Sequence, residues 1–277
     1  MGQLALAALD AAMGMMLLGG VVARWSYRFG LHGQLRVTTH ELHVGGEPPL
    51  PTSLVLAFAS DFHAGPTTHP QIYASLIDEV NRLQPDVLML GGDYVSSKAE
   101  HVDVLPGVFS RCAARLGKYA VLGNHDLWTD QSYITRQLSS AGVQVLVNRN
   151  VALPPPFDQV SICGIDDPWA GCADPAHAFR GAGPIRIFLS HSPDGLHLLS
   201  GERFDVGFAG HTHGGQIAYR DGRPVVMVGG PLSRRYTRGR FEIAGNGPLI
   251  VSRGIGCSSL PIRINADPEL IVCTLHP

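Results

Sequence analysis

Five apolar, strand-like runs in this chain each end just before side chains that bind metals. In chain order they are LVLAFAS, VLMLGG, YAVLG, IRIFLS and VGFAG, and aspartate, asparagine or histidine follows each of them. Because the ends of neighbouring strands in an α/β sheet lie side by side, the residues that follow them converge on one rim, where such folds bind ligands. The pattern therefore predicts a metal centre. Its predicted members are Asp61, His63, Asp93, Asn124, His191, His211 and His213.

Between the first two runs, apolar residues recur with the spacing of an amphipathic helix. Ile72, Leu76 and Val80 share one face of a helix predicted over residues 69 to 84, which ends before Pro85. A strand, a helix and a second strand then follow each other, which indicates a βαβ unit.

A second helix is predicted over residues 129 to 142, because Thr129 is a suitable N-cap and Gly142 a suitable stop. Upstream of the first run, the alternating residues 33 to 44 predict an edge strand.

Beyond residue 143, short strand-like runs replace the helical pattern. This change suggests a second sheet packed on the first. We therefore expect an α/β fold in which two sheets form a β-sandwich flanked by helices. The runs are VQVLV, VSICGI, IRIFLS, DVGFAG, GQIAYR, VVMVGG, LIVSRG and LIVCTL.

The first 30 residues form an apolar N-terminal segment in which Asp10 is the one charge before Arg24. A spanning helix needs about 20 apolar residues, and the basic residues follow the segment, which is the wrong order for a secretory signal. We expect a membrane anchor that holds the rest of the chain on the cytoplasmic side. An interfacial helix, a poorly ordered start and a helix packed on the domain are the alternatives. Residues 33 to 277 are expected to form one domain that contains the metal centre.

Composition excludes several function classes. The formal net charge is −2, the pI is about 6.7 and no long run of Lys or Arg occurs, so we expect no nucleic-acid partner. The 5 cysteines form no CxxC motif, which argues against a disulfide framework or a zinc ribbon. The 13 histidines are many for this length, and they concentrate at the strand ends.

The ligand types predict two cations. Asp61 and His63 lie two positions apart, so on an extended segment their side chains point the same way and can share one metal. Asp93 follows two glycines and offers a carboxylate that can bridge two ions. Asn124 adds a carbonyl oxygen, and the other histidines complete a site for two ions about 3.5 to 4 Å apart. This donor set suits Mn²⁺, Zn²⁺ or iron.

An aspartate pair, Asp166 and Asp167, follows the run VSICGI and precedes Pro168. The pair can steady a loop opposite the metals, but a turn is the simpler interpretation, so both residues stay outside the predicted site.

Five motifs contain the predicted metal ligands: SDFHAG (60 to 65), GGDYV (91 to 95), GNHD (123 to 126), HSPD (191 to 194) and AGHTHGGQI (209 to 217). In order and spacing they resemble those of the calcineurin-like metallophosphoesterases. The tail strings YTRGRF, VSRGIG and LPIRINADPEL resemble the bacterial, often membrane-associated phosphodiesterase subgroup of that family. The resemblance implies a four-layer α/β/β/α fold.

The resemblance also implies a role for each residue. His125 would donate a proton to the leaving oxygen, and Asp126 would orient the His125 ring. A metal-bound hydroxide would attack phosphorus. One ion would be held by Asp61, His63, Asp93 and His213, and the second by Asp93, Asn124, His191 and His211.

The implied activity is hydrolysis of a phosphodiester or pyrophosphate by a metal-dependent enzyme. Its partner would be a phosphate-containing small molecule or a lipid-linked substrate. One alternative is a UDP-2,3-diacylglucosamine pyrophosphatase of lipid A synthesis, and a general phosphodiesterase acting on envelope polymers, nucleotides or phospholipids is another. A non-catalytic metal-binding scaffold is the alternative outside the enzyme class.

Overall fold

Two six-stranded sheets form the centre of the domain. The computed structural model describes residue 12, residues 14–227 and residues 229–277. The strands of the first sheet in spatial order are β1 (Arg36–His43), β12 (Glu269–His276), β2 (Leu54–Ala59), β3 (Val87–Leu90), β4 (Lys118–Ala120) and β5 (Val143–Val145). Strands β2 to β5 are parallel, and β12 runs antiparallel to β2 and parallel to β1.

The second sheet has a parallel centre and an antiparallel strand at each edge. Its strands in spatial order are β10 (Gly239–Phe241), β11 (Leu249–Val251), β9 (Val206–Ala209), β8 (Ile185–Leu189), β7 (Val160–Gly164) and β6 (Arg149–Ala152).

The two sheets pack face to face through a fully apolar layer. Phe58 of β2 and Phe208 of β9 meet there with their ring centroids 5.4 Å apart. Burial of such side chains is the main favourable term in folding, so this layer holds the two halves of the site in a fixed relation. Other buried members are Leu54, Leu56, Met89, Ile162, Ile187 and Val206.

Helices cover the outer faces of both sheets, which confirms the predicted sandwich flanked by helices. Two longer helices cover the first sheet, and a short helix packs against Cys163 and Phe188 of the second. The helices are α1 (Val21–Arg28), α2 (Gln71–Leu83), α3 (Pro106–Phe109), α4 (Asn124–Trp128), α5 (Gln131–Ser140), α6 (Pro175–Ala178) and α7 (Pro231–Arg235). Helical turns of the 3₁₀ type span Leu18–Gly20, Ala99–Val104, Pro193–Leu198 and His213–Gly215.

Helix α2 follows its predicted pattern. Ile72, Leu76 and Val80 are all buried, because residues four apart lie on one face. The left-handed Gln84 ends the helix at φ 48°, directly before Pro85, as helices commonly end.

Helix α5 begins slightly later than predicted. The N-cap is Asp130, whose carboxylate accepts a hydrogen bond from the Tyr133 N–H at 2.9 Å. The Thr129 hydroxyl instead donates to the main-chain oxygens of His125 and Asp126. The predicted N-cap Thr129 was therefore wrong, because this residue closes the preceding helix α4.

Two predicted strands are absent from the described residues. The run GQIAYR forms isolated bridges from Ile217 and Ala218, and the described part of VVMVGG forms no strand. Gln216 lies in the left-handed region at φ 56°, which breaks an extended run. Strands from residue 143 onward were expected to form the second sheet. Strand β5, which begins at residue 143, and the last strand β12 belong to the first sheet instead.

Most of the apolar part of the predicted anchor, residues 1 to 11, lies outside the described residues. Over the part of the chain that is described, no helix is both long enough and apolar enough to cross a bilayer. Helix α1 and the turn after it contact the domain: the Ser26 hydroxyl donates to Pro261 O, and Leu31 O accepts from the Arg263 N–H at 2.7 Å. The division into an anchor and a catalytic domain stays a prediction.

Candidate metal centre

The predicted ligands follow the carboxyl ends of five parallel strands, three in the first sheet and two in the second. These strand ends share one edge of the sandwich, so both sheets contribute to one site. The strands and the residues that follow them are β2 with Asp61 and His63, β3 with Asp93, β4 with Asn124, β8 with His191, and β9 with His211 and His213.

Five of the seven predicted ligands have a positive φ. A positive φ is uncommon outside glycine, and in non-glycine residues it marks strain that the surrounding structure must hold. The extended geometry expected for Asp61 and His63 was therefore wrong, because both residues lie beyond β2 in left-handed conformation. The φ values are 55° for Asp61, 42° for His63, 53° for Asp93, 71° for His211 and 52° for His213.

One group of donor atoms lies between the two sheets. The Nε2 atoms of His63 and His213 lie 3.0 Å apart. Asp61 Oδ1 lies 3.5 Å from His213 Nε2, and Asp93 Oδ2 lies 3.6 Å from His63 Nε2. The Asp61, His63 and His213 donors are all close enough to one another to hold a single ion.

A second group lies beside the first. His191 Nε2 lies 3.3 Å from Asp93 Oδ2 and 3.2 Å from His211 Nδ1. Asn124 Oδ1 is buried and has no hydrogen-bond partner among the described residues. A buried carbonyl oxygen without a partner is costly, and a divalent cation at this site would supply one. The two histidines of GHTH therefore lie in different groups, whereas Asp93 Oδ2 is common to both.

Two rings of the site are oriented in the manner of metal ligands. His191 Nδ1 donates to Gly91 O at 2.7 Å, and His63 Nδ1 lies 3.3 Å from Ser96 Oγ. These contacts leave the Nε2 atom of each ring facing the donor groups. A metal-binding histidine usually engages its other ring nitrogen in this way, so these residues fit divalent cations.

Burial favours the neutral form of most of the imidazoles. Burial lowers the pKa of His63 to about 3 and that of His211 to about 4, and it lowers the pKa of His213 well below its usual value. A histidine must be neutral to bind a metal. These three rings are therefore ready to bind cations at neutral pH.

Asp93 and His191 form a buried pair. Burial alone would raise the pKa of Asp93, but the neighbouring His191 and His125 outweigh it and hold that pKa well below its usual value. Burial likewise opposes the charged form of His191, yet Asp93 raises the pKa of this ring well above its usual value. The Asp93 carboxylate is thus ionised, as a bridging ligand must be.

His125 borders both groups without belonging to the predicted ligand set. One of its ring nitrogens lies within 4.8 Å of donor atoms of His63 and Asp93. Its Nδ1 donates to Ser96 O, and the Trp128 ring packs against it with centroids 4.8 Å apart. The ring is therefore fixed at the edge of the donor groups, with Nε2 as the nitrogen left for a substrate.

Asp126 does not orient the His125 ring, which corrects that expectation. Its Oδ2 accepts from the N–H groups of Gly123 and Asp93, both at 2.9 Å. Its Oδ1 accepts from Tyr94 N at 2.8 Å and from Val95 N at 3.4 Å. The carboxylate thus ties the loop after β3 to the loop after β4, and Ser96 O holds the ring instead.

A cavity of about 690 Å³ opens on the donor groups. Trp128 and Trp169 line it, and the Trp169 ring stacks near the His211 ring with centroids 6.1 Å apart. The remainder of the wall is mainly apolar and partly exposed, with Val225 at 49% and Val226 at 69%. No sequence pattern pointed to these residues, because single exposed apolar side chains are normal on a surface.

Arg263 is a further residue outside the predicted site. It is 3% exposed, and its guanidinium donates to the main-chain oxygens of Gly256, Arg253 and Ala266. One guanidinium nitrogen lies 3.3 Å from His213 Nδ1. Arg263 thus ties the segment after β11 to the donor groups. The sequence feature that could have identified it is its position in the tail string LPIRINADPEL.

Known proteins are similar to this chain over most of its length. The chain is 30% identical over 228 residues to the phosphodiesterase YaeI of Escherichia coli (strain K12), covering 79% of this chain and 81% of that protein. It is 30% identical over 252 residues to the transmembrane protein with metallophosphoesterase domain of Bos taurus, covering 84% of this chain but only 55% of that protein. Among solved structures, TT1561 of Thermus thermophilus is similar at 11% identity with a TM-score of 0.49, over 74% of this chain and 91% of that one.

The family model for calcineurin-like phosphoesterases matches residues 54–215, which hold every predicted ligand. This range is more than half of the chain and includes both donor groups. The chain belongs to the calcineurin-like phosphoesterase family, and it is a metal-dependent phosphoric ester hydrolase.

Proposed function

We propose that this protein hydrolyses a phosphodiester or a pyrophosphate with the help of two divalent cations. The ions are Mn²⁺, Zn²⁺ or iron, since histidine, aspartate and asparagine suit all three. The first ion is assigned to Asp61, His63, Asp93 and His213, and the second to Asp93, Asn124, His191 and His211.

The observation that carries this proposal is the position of Asp93 Oδ2. This one oxygen lies 3.6 Å from His63 Nε2 in the first group and 3.3 Å from His191 Nε2 in the second. A carboxylate shared by two donor groups is the arrangement that a two-metal hydrolase requires. Asp93 is 2% exposed, so water competes little for it.

The reaction needs a nucleophile, charge neutralisation and a proton for the leaving group. When bound, the cations acidify a water molecule and neutralise charge on the phosphoryl oxygens. His125 is assigned as the proton donor, because Ser96 O fixes its Nδ1 and leaves Nε2 toward the substrate. The packed Trp128 ring keeps the imidazole from turning away.

The proposed substrate is lipid-linked. The cavity beside the donor groups has an apolar wall that includes Ile217 and Leu260, and Leu260 is 45% exposed. Apolar lining with a few polar groups at one end suits an amphiphile whose phosphate reaches the cations while its acyl part lies on the wall.

We also propose that the protein associates with a membrane through its N-terminal segment, with the catalytic domain on the cytoplasmic side. Helix α1 exposes Trp25, and the exposed Phe29 caps its C-terminal end. The two rings stack with centroids 5.5 Å apart, next to the exposed Arg24 and Arg28. Aromatic and basic side chains together are typical of a helix that lies at a lipid surface.

The catalytic role of His125 is tested with the purified protein loaded with Mn²⁺ and assayed on bis-p-nitrophenyl phosphate. His125→Ala is expected to keep its metal content and to lose about 10²- to 10⁴-fold in kcat, the contribution of a general acid. The loss should be larger on a diester with a poorer leaving group. An unchanged kcat on that substrate contradicts the assignment.

Asp93→Asn is the control for the metal-dependent reaction. If wild type and Asp93→Asn are equally inactive across metals and substrates, the protein is a metal-binding scaffold and the hydrolase proposal fails. A screen of monoesters, diesters and nucleotide-lipid pyrophosphates in detergent then defines the substrate class. Activity on monoesters alone overturns the diesterase proposal.

A further inference from the structure

Asp167 is a buried carboxylate at a sixth strand end on the edge that carries the donor groups. It lies just beyond β7, which pairs in parallel with β8. The Ile165 N–H donates to Leu189 O at 3.1 Å, so Asp167 and His191 follow neighbouring strand ends. The side chain is 0% exposed. Its neighbour Asp166 is the turn residue, since its carboxylate accepts from the N–H groups of Asp167 and Cys172.

The two oxygens of Asp167 differ in their contacts. Oδ1 accepts from Trp169 N at 2.9 Å and from Ala170 N at 2.7 Å, which closes the turn. Oδ2 is buried and has no hydrogen-bond partner among the described residues. Because a buried carboxylate oxygen is costly unless it meets a donor or a cation, the turn explains one oxygen of Asp167 and leaves the other unexplained.

The surroundings of Asp167 lead to the second donor group. Burial raises the pKa of Asp167. The neighbouring His191 lowers this pKa, and Asp93 raises it. The turn that Asp167 closes carries Trp169, whose ring stacks at 22° to the His211 ring. Asp167 therefore interacts electrostatically with His191, and the turn that it closes places Trp169 against His211.

The charge balance of the proposed ligands leaves room for a further carboxylate. Among the assigned ligands, only Asp61 and Asp93 carry negative charge, so two divalent cations leave a net charge of about +2. The second group has no carboxylate of its own, because it shares Asp93 with the first. An additional negative charge close to His191 therefore favours the second ion more than the first, because Coulomb attraction weakens with distance.

We propose that Asp167 is a positioning residue for the second cation: Oδ1 holds Trp169 over His211, and Oδ2 supplies negative charge to the ion assigned to Asp93, His191 and His211. This inference rests on the proposed pair of cations. Asp167 does not complete a direct ligand set, since the close donor cluster here comprises Asp93, His191 and His211. It acts from outside that cluster, where such partners commonly change metal affinity by about 10- to 100-fold.

The test is a calorimetric titration of metal-free protein with Mn²⁺, without substrate. Asp167→Asn keeps the oxygen that accepts from Trp169 and removes the charge. One of the two Mn²⁺ dissociation constants is expected to rise by about 10- to 100-fold, and the other to change by a smaller factor. Asp174→Asn is the matched control, because it removes one charge from the same segment at an exposed N-cap, where asparagine serves equally well.

Two unchanged dissociation constants in Asp167→Asn overturn the inference and leave the proposed function intact. Wild-type protein that binds no Mn²⁺ overturns both. If Asp167→Asn does not fold by circular dichroism, Asp167→Glu and Asp167→Gln make the comparison at equal side-chain length. The Asp167→Glu protein is then expected to bind the more weakly held Mn²⁺ ion more tightly than the Asp167→Gln protein does. Equal affinities of the two proteins for this ion count against the proposal.

Discussion

At the scale of single residues, the site depends on strained backbone held by buried polar contacts. Five of its side chains sit on left-handed backbone, which costs free energy that the surrounding structure must offset. Asp126 is the clearest of these supports, because its carboxylate accepts from four main-chain N–H groups in two loops. Asp126 therefore positions the Asp93 and Asn124 loops relative to each other.

Asp126→Asn is expected to destabilise the protein. The side-chain amide would turn an N–H₂ group toward main-chain donors that now meet a carboxylate oxygen, leaving about two buried donors without acceptors. At roughly 1 to 3 kcal/mol for each such group, the free energy of unfolding should fall by about 2 to 6 kcal/mol. Urea denaturation at saturating Mn²⁺ measures this change.

Asp130→Asn provides the matched control for that measurement. Asp130 caps α5 with one hydrogen bond to Tyr133 N, and asparagine is an equally good N-cap, so its free energy of unfolding should stay near the wild-type value. Equal stability of the two variants shows that Asp126 is not the tie between the loops.

At the scale of helices and strands, the spacing of apolar residues correctly predicted the elements that depend mainly on local interactions. The 3.6-residue spacing of Ile72, Leu76 and Val80 predicted α2, and most of the apolar runs predicted strands, because these patterns record which face of an element is buried. The order of strand ends also predicted which side chains are brought to one edge. Predicting that the seven ligands lie at one edge therefore did not require knowing which distant strands pair.

Other features depend on contacts between distant segments, so the sequence pattern did not carry them. The insertion of β12 between β1 and β2 joins the end of the chain to its first strands, and a late apolar run looks the same in either sheet. The hydrogen bonds of Asp126 and the reach of Arg263 to His213 likewise arise between loops far apart in sequence. The left-handed turns were missed because aspartate and histidine do not indicate such backbone as glycine does.

At the scale of the whole molecule, helix α1 is hydrogen-bonded to the segment that contributes Leu260 to the cavity wall. The Ser26 hydroxyl binds Pro261 O, and Leu260, the residue before it, lines the cavity. A lipid surface that meets the exposed rings of Trp25 and Phe29 is therefore linked through a short path to the apolar wall. This connection supports the proposal that a lipid-linked substrate reaches the site from a membrane.

The double substitution Trp25→Ser and Phe29→Ser is expected to weaken membrane binding, because it removes two side chains that are 54% and 64% exposed. The fraction of protein that cosediments with vesicles of phosphatidylglycerol and phosphatidylcholine should fall. Hydrolysis of the soluble diester bis-p-nitrophenyl phosphate should be unchanged, since neither residue lines the cavity.

Val147→Ser is the control for that substitution, because Val147 is 44% exposed and lies after β5. Its cosedimentation should match wild type. Membrane binding that survives the loss of both rings contradicts the assignment of α1 as the contact with lipid.

Strand ends from both sheets are proposed to hold a pair of cations that share Asp93. Elemental analysis of wild type and of Asp93→Asn, purified in parallel after exposure to Mn²⁺ and removal of free metal, measures whether they do. Two ions are expected for each wild-type chain and fewer than one for each Asp93→Asn chain, because loss of the shared carboxylate weakens both groups. Wild-type protein without bound metal, or equal metal content in the two proteins, would show that Asp93 does not hold a pair of cations.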